Sequence, residues 1–204
     1  MKLILASTSP RRREILALLR LPFEVIAPEF DERPSAHLPV EDEVLEFAAG
    51  KARSVARKNL NSIVIGSDTM ISLDGEKIGK PVDRAEAARI LCLLAGKTHR
   101  IYTGVALIDG TGGPGLRLIE EVRVAMREYT EGEVDRYLSC NESLDKAGAY
   151  SIQGEGRKLI ASVAGDYLAA VGMPLRPIVD YLKGRGMSFD LDVAKLCADK
   201  VTLN

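Results

Sequence analysis

The sequence predicts an α/β protein with a mixed twisted sheet and flanking helices. Three observations carry this reading. Strand-like and helix-like segments alternate through residues 3–67 in the order β-α-β-α-β, which requires helical crossovers between strands. The second half carries hairpin and alternation signals of antiparallel strands. The composition, 46% hydrophobic and 28% charged over 204 residues, supplies one sizeable core and excludes wholesale disorder.

Residues 3–6 read as a short apolar strand, and residues 10–20 as a helix with Ile15, Leu16, Leu18 and Leu19 at helical spacing. A second strand covers 23–27. A long helix follows over 40–58, with Val44, Phe47, Ala48, Ala52 and Val55 on one face. Residues 62–67 are nearly all apolar, as a strand buried on both faces should be. Asp74-Gly75, between 70–73 and 76–78, marks a hairpin. Asp83 with Glu86 opens a helix that Gly96 closes. Residues 100–108 and 116–127 flank the Gly-rich loop 110–115. In the second of these segments Leu116, Leu118, Val122, Val124 and Met126 alternate with Arg117, Arg123 and Arg127, so one face is wet. Thr130 with Glu133 forms a capping box for a helix to about residue 140. Pro174 starts a final helix striped by Leu175, Ile178, Val179 and Leu182. The expected organisation is one domain over residues 1–184 and a C-terminal tail, 185–204, with no assigned role.

The 28 basic residues against 29 acidic ones leave a net charge of −1, and aromatics are only 5%. That balance gives no global attraction to nucleic acid or an anionic membrane. Cys92, Cys140 and Cys197 form no metal-binding spacing with one another or with His37 and His99, so neither a disulfide framework nor a zinc site is expected. No stretch approaches the ~18 apolar residues of a membrane span, and the apolar N-terminal run is too short for a signal peptide. The expected location is the cytoplasm.

Several polar residues are awkward for structure alone. Ser9 is a natural N-cap and Pro10 a natural first helical residue, so a helix N-terminus suited to phosphate follows the first strand. Arg11, Arg12 and Arg13 crowd that first turn against the helix dipole. Helical spacing puts Arg12 inward with Ile15, Leu16 and Leu19, and Arg13 outward with Ala17 and Arg20. Lys51 falls on the apolar stripe of the long helix. Asp68-Thr69 stands where the strand 62–67 ends, the usual place for a metal ligand or base in α/β sheets. Asp31 and Glu32 follow the second strand, and carboxylates from neighbouring strand ends suit Mg²⁺. Lys80 precedes a stiffening Pro81. In 144–154, small residues interleave with Lys146, Tyr150 and Gln153, as where backbone lies close to a ligand. The bland alternatives are a solvated basic turn, a snorkelling lysine, a turn-capping Asp and a solvated acidic loop. Ser7 and Ser9 have no His within a motif, so a serine nucleophile is poorly supported.

Taken in order, Ala6-Ser7-Thr8-Ser9-Pro10-Arg11-Arg12, Asp31-Glu32, Lys51-Ala52, Gly66-Ser67-Asp68-Thr69, Gly79-Lys80-Pro81 and the block 145–154 resemble the Maf family of nucleoside triphosphate pyrophosphatases, relatives of the inosine triphosphate pyrophosphatases. The resemblance covers residues 2–183. It implies two lobes around a central cleft and hydrolysis of the α–β phosphoanhydride bond with a divalent cation, Mg²⁺ or Mn²⁺. It implies Asp68 as proton acceptor, Glu32 and Asp68 as metal ligands, and Ser7, Arg11, Arg12, Lys51, Thr69, Lys80 and Gln153 as substrate contacts. The block 145–150 with Gln153 is most similar to the dTTP/UTP group, and that comparison marks Arg11, Thr69 and Gln153 as specificity positions.

Chemistry gives a reason for Gln153. A carboxamide both donates and accepts, matching the O4 and N3–H edge of uracil or thymine. The 7-methyl-GTP subgroup has Glu at this point and is the alternative within the enzyme class. A nucleotide-binding regulator of septation is the alternative outside it. The expected ligand is a small nucleoside triphosphate. A homodimer is compatible with the sequence, and no feature fixes the oligomeric state.

Overall fold

The computed structural model describes residues 2–35, 37–113 and 115–188. Of the tail assigned to 185–204, residues 189–204, including Cys197, lie outside the described residues.

The N-terminal half builds the parallel part of one seven-stranded sheet. Strand β1 (Lys2–Ala6) leads into helix α1 (Pro10–Ala17), which crosses over to β2 (Glu24–Ile26). Helix α2 (Val40–Ala56) then crosses to β3 (Ser62–Leu73), and β1 pairs in parallel with both β2 and β3. Both helices carry the expected signals. The Ser9 hydroxyl accepts the Arg12 N–H at the start of α1, with Pro10 behind it. Helix α1 stops at Ala17 rather than at residue 20, because the chain turns out of the helix and Arg20 takes a positive φ of 54°.

The C-terminal half is antiparallel, as its patterning predicts. Asp74 and Gly75 take positive φ values of 53° and 89°, the left-handed pair that a two-residue hairpin needs, and join β3 to β4 (Glu76–Ile78). Helix α3 (Arg84–Leu94) is capped by Asp83, whose carboxylate accepts the Glu86 N–H. Strands β5 (Thr98–Asp109), β6 (Leu116–Met126) and β7 (Ile160–Ala164) extend the sheet, giving the order β2-β1-β3-β5-β6-β7 with β4 paired to β3 off this path. Helix α4 (Glu131–Leu138) has the full Thr130–Glu133 capping box and ends two residues before the expected position. Two elements were not legible in the sequence: strand β7 (Ile160–Ala164) and helix α5 (Tyr167–Val171). Helix α6 (Leu175–Gly184) buries Leu175, Ile178, Val179 and Leu182 as expected. Just beyond it, Arg185 pairs with Asp109 at 2.7 Å, tying the start of the tail to the end of β5.

Strand alternation sorts the core onto two sides. Leu3, Leu5, Ile63 and Ile65 enter the larger cluster, shared with α1, α3, α4 and α6, while Ile4, Ala6 and Val64 enter a smaller cluster under α2. Gly66 brings α2 close. A Cβ there would run into the Ala48 carbonyl, so a larger residue would push α2 off the sheet.

One correction matters for function. Asp68 and Thr69 do not stand at the end of β3; they lie inside a continuous strand that runs to Leu73. Strand β3 outlasts its parallel neighbour because β5 pairs with it from Ile63 as far as Ser72. The pairing with β1 ends at Gly66 and that with β4 begins at Ile71. Among the described residues, 67–70 therefore have a strand on one side only. That break in the sheet opens a cleft.

His99 on β5 shows how tightly the antiparallel half is packed. It is 1% exposed, and its Nε2 lies 2.8 Å from the Tyr150 hydroxyl. Burial lowers its pKa to about 4. The folded protein thus holds a neutral imidazole, whereas the unfolded chain takes up a proton below about 6.5. Stability from this group is complete above that pH and is lost as pH falls toward 4, a total of about 3 kcal/mol. We expect His99→Gln to flatten the stability profile between pH 6.5 and 4, measured by urea midpoints. Parallel profiles for the two proteins would refute this.

Candidate active site

The break in the sheet is the floor of a cavity of about 650 Å³. Every residue singled out from the sequence as a site residue lines it: Ser7, Arg11, Arg12, Glu32, Lys51, Asp68, Thr69, Lys80 and Gln153. Six different segments bring them together. The turn after β1 and the start of α1 supply Ser7, Arg11 and Arg12; the segment after β2 supplies Glu32; α2 supplies Lys51; β3 supplies Asp68 and Thr69. Lys80 and Gln153 come from the chain after β4 and from the 3₁₀ turns near residue 150.

Lys51 is the hub. It is 7% exposed, and its Nζ donates to Asp68 Oδ1 at 2.6 Å and pairs with Glu32 Oε1 at 2.7 Å. The lysine on the apolar stripe is therefore not snorkelling. It reaches a polar cleft under its own helix. Asp31, beside Glu32, turns outward to the exposed Arg33 at 2.7 Å and takes no part. Burial pushes the Asp68 carboxyl above its ordinary range, against the opposing pull of Lys51 and Arg12.

Alternation along β3 places Thr69 on the opposite face from Asp68. There Arg12 donates from Nη2 to the Thr69 hydroxyl at 3.2 Å and from Nε to the Gly172 carbonyl at 3.0 Å. The same carbonyl accepts the Ser67 hydroxyl at 2.8 Å, and Thr103 lies 3.0 Å from the Thr69 oxygen. Arg12 is thus held in place before any ligand arrives, as its inward spacing predicts, while Arg13 is exposed. At the mouth, Arg11 faces Asp145 at 4.0 Å, and Lys80 is exposed. The buried Ser7 hydroxyl accepts the Ser9 N–H at 3.1 Å. Gln153 is exposed at the rim, and its carboxamide pairs with the Tyr167 hydroxyl.

Sequence reasoning missed Glu43 and Lys77, which also line the cavity, as does Lys146 from the block 144–154. Glu43 could have been found, because it shares the face of Val40 and Phe47 by the same helical count that exposes Lys51 as odd. Nothing local marks Lys77 in this way. With them the cavity holds six basic side chains (Arg11, Arg12, Lys51, Lys77, Lys80, Lys146) against four acidic ones (Glu32, Glu43, Asp68, Asp145).

Fold and cavity together define a class: a mixed α/β protein whose sheet opens onto a cleft rich in cations, with two carboxylates converging inside it. That suits a polyanion and chemistry upon it. The chain belongs to the Maf-like protein family, which it matches over residues 2–185. It is 42% identical over 192 residues to a dTTP/UTP pyrophosphatase of Bacillus cereus, covering 94% of this chain and 97% of that protein. A dTTP/UTP pyrophosphatase of Bacillus anthracis is 43% identical over 194 residues, with the same shares covered. Among solved structures, a HAM1 protein from Coxiella burnetii is similar at TM-score 0.44 and 18% identity, over 62% of this chain and 73% of that one. No helix among the described residues is long and apolar enough to cross a membrane.

Proposed function

We propose that this chain hydrolyses dTTP and UTP between the α and β phosphates, releasing the nucleoside monophosphate and pyrophosphate in the cytoplasm. The observation that carries the reading is the buried Asp68, held by Lys51 beside Glu32 and across β3 from the anchored Arg12. The names of the relatives supply the substrate class.

In this reading Asp68 accepts the proton of the attacking water. Its raised pKa makes it a better proton acceptor than an exposed carboxylate, while Lys51 favours its ionised form. Arg11, Arg12, Lys80 and the N–H groups at the start of α1 hold the triphosphate, with Ser7 beside them. Glu32 and Asp68 fit a divalent cation: two hard oxygens meet one ammonium at 2.7 and 2.6 Å. The described residues hold no cluster of three or more His, Cys, Asp or Glu that could ligate a metal. The pair Glu32 and Asp68 suits Mg²⁺ or Mn²⁺, which take one or two carboxylates and complete their shell with phosphate and water. Such an ion supplies polarisation of the bridging phosphates and a lower pKa for water.

Gln153 reads the base, with Arg11 and Thr69 setting specificity beside it. A carboxamide pairs with both the acceptor and the donor of a uracil or thymine edge, whereas Glu could only accept. We expect Gln153→Glu to lower kcat/KM for dTTP and UTP by roughly a hundredfold while lowering guanine-nucleotide turnover much less. The assay is a panel of dTTP, UTP, CTP, GTP, ATP and 7-methyl-GTP with Mg²⁺ or Mn²⁺, both products identified. Equal losses on pyrimidines and guanines would remove Gln153 as the reader. Turnover mainly of 7-methyl-GTP by the unaltered protein would overturn the substrate, and nucleotide binding without turnover would overturn the reaction.

A further inference from the structure

Unlike Asp68 and Glu43, Glu32 stands on neither a strand nor a helix. Its side chain is 49% exposed, yet it reaches Lys51 at 2.7 Å. Something must hold the segment 27–35 in place. On one side of Glu32, the Phe30 ring packs over Gly50, where a Cβ would run into it, and meets Phe47 edge to face at 5.8 Å. On the other side the anchor is ionic. Glu43 is 1% exposed, and its carboxylate accepts the Ser35 N–H through Oε1 and the Lys77 ammonium at 3.0 Å through Oε2. Lys77 also donates to the Ser35 carbonyl at 2.6 Å. Both backbone polar groups of Ser35 are thus taken by one ion pair, a buried carboxylate with a half-buried ammonium, that joins α2 to β4.

We propose that Glu43 and Lys77 are positioning residues, a latch that clips Ser35 and so holds Glu32 against Lys51; this rests on the metal-assisted reaction proposed above. Neither residue reaches the reacting atoms in this scheme. Both are committed to Ser35 and to each other. A fully buried carboxylate is costly and is poor evidence of stabilisation, since an apolar pair of similar volume is often as stable. Its use here is geometric, because Ser35 follows Glu32 by only three residues. Partners that orient metal ligands typically account for ten- to a hundredfold in metal affinity.

The test compares the wild type with Glu43→Met/Lys77→Met, which removes the latch without leaving a lone buried charge. A second variant, Glu43→Gln/Lys77→Met, retains an acceptor for the Ser35 N–H. Hydrogen exchange over residues 28–35 reads the clip itself. A Mn²⁺ titration of the nucleotide-free protein, followed by electron paramagnetic resonance, reads its consequence. We expect faster exchange and about tenfold weaker Mn²⁺ binding in the Met/Met variant, with partial rescue of both in the Gln/Met variant and an unfolding temperature close to wild type in each. Unchanged exchange, or faster exchange with unchanged Mn²⁺ affinity, overturns the latch. If the Met/Met variant fails to fold, the Gln/Met variant decides by the same two readings. A wild type that binds Mn²⁺ but turns over neither dTTP nor UTP overturns the proposed function and leaves the latch to these measurements. One that binds no Mn²⁺ overturns the metal reading, and exchange alone then decides the latch.

Discussion

Asp68→Asn lowers dTTP turnover by roughly a thousandfold while nucleotide binding stays within a few-fold, if Asp68 is the proton acceptor. The substitution preserves shape and leaves Lys51 its second partner, Glu32, at 2.7 Å. It also has a stability side. Burial raises the pKa of Asp68 in the folded protein. Stability from its neutral form is present below the ordinary carboxylate range and is lost as pH rises through the folded pKa. Once ionised, the buried group is a burden on the fold that an Asn does not carry. The variant should therefore unfold at a temperature equal to or above wild type. Single-turnover hydrolysis, nucleotide titration calorimetry and thermal melts give the three readings. Unaltered hydrolysis would take Asp68 out of the mechanism, and loss of binding together with turnover would make it a contact rather than a base.

Lys51→Met should damage both activity and stability. The ammonium is shared by Asp68 and Glu32, and the Lys51 and Asp68 side chains are only 9% and 10% exposed. Without it two carboxylates face each other, one of them buried. Removing one partner of a buried pair costs about 3 kcal/mol or more, and losing the charge that organises the site should cost at least about a hundredfold in kcat/KM. The stability loss has a pH signature. Asp68 can relieve it by taking up a proton, so the deficit should be largest near pH 7.5 and shrink toward pH 5. Urea unfolding at those two pH values checks this. A constant deficit would mean lost packing of the lysine stem, and no deficit with normal turnover would return Lys51 to the status of a bystander.

What could be read from the sequence was local in origin. The Ser9-Pro10 cap, the Asp74-Gly75 turn and the Thr130–Glu133 box each span a few residues, and each stands where its pattern places it. The polar residues on apolar helical faces, Arg12 and Lys51, were legible as contradictions between type and position. The end of β3 was misread because Asp and Thr after an apolar run resemble the start of a turn; pairing with β5, a distant partner, overrides that preference. Strand β7 was missed because its five residues include exposed Ala161 and Ser162 and offer no clean alternation. Lys77 escaped for a related reason. Its partner Glu43 lies 34 positions away, and no spacing rule connects a three-residue strand with the first turn of a long helix. Short-range chemistry is written in the chain, and long-range pairing emerges only from packing.

The placement of the site within the fold also bears on how such a protein can change. Asp68 and Lys51 stand on a central strand and its covering helix, where Gly66 leaves no room for a side chain between them. Gln153 and Asp145 are exposed on turns at the rim. Mutational drift is therefore unequal across one cavity. Replacements at the rim touch no core residue and can shift which ligand is preferred, while replacements on the floor disturb the sheet itself. Such a scaffold can diversify its choice of nucleotide while its bond-breaking apparatus stays fixed.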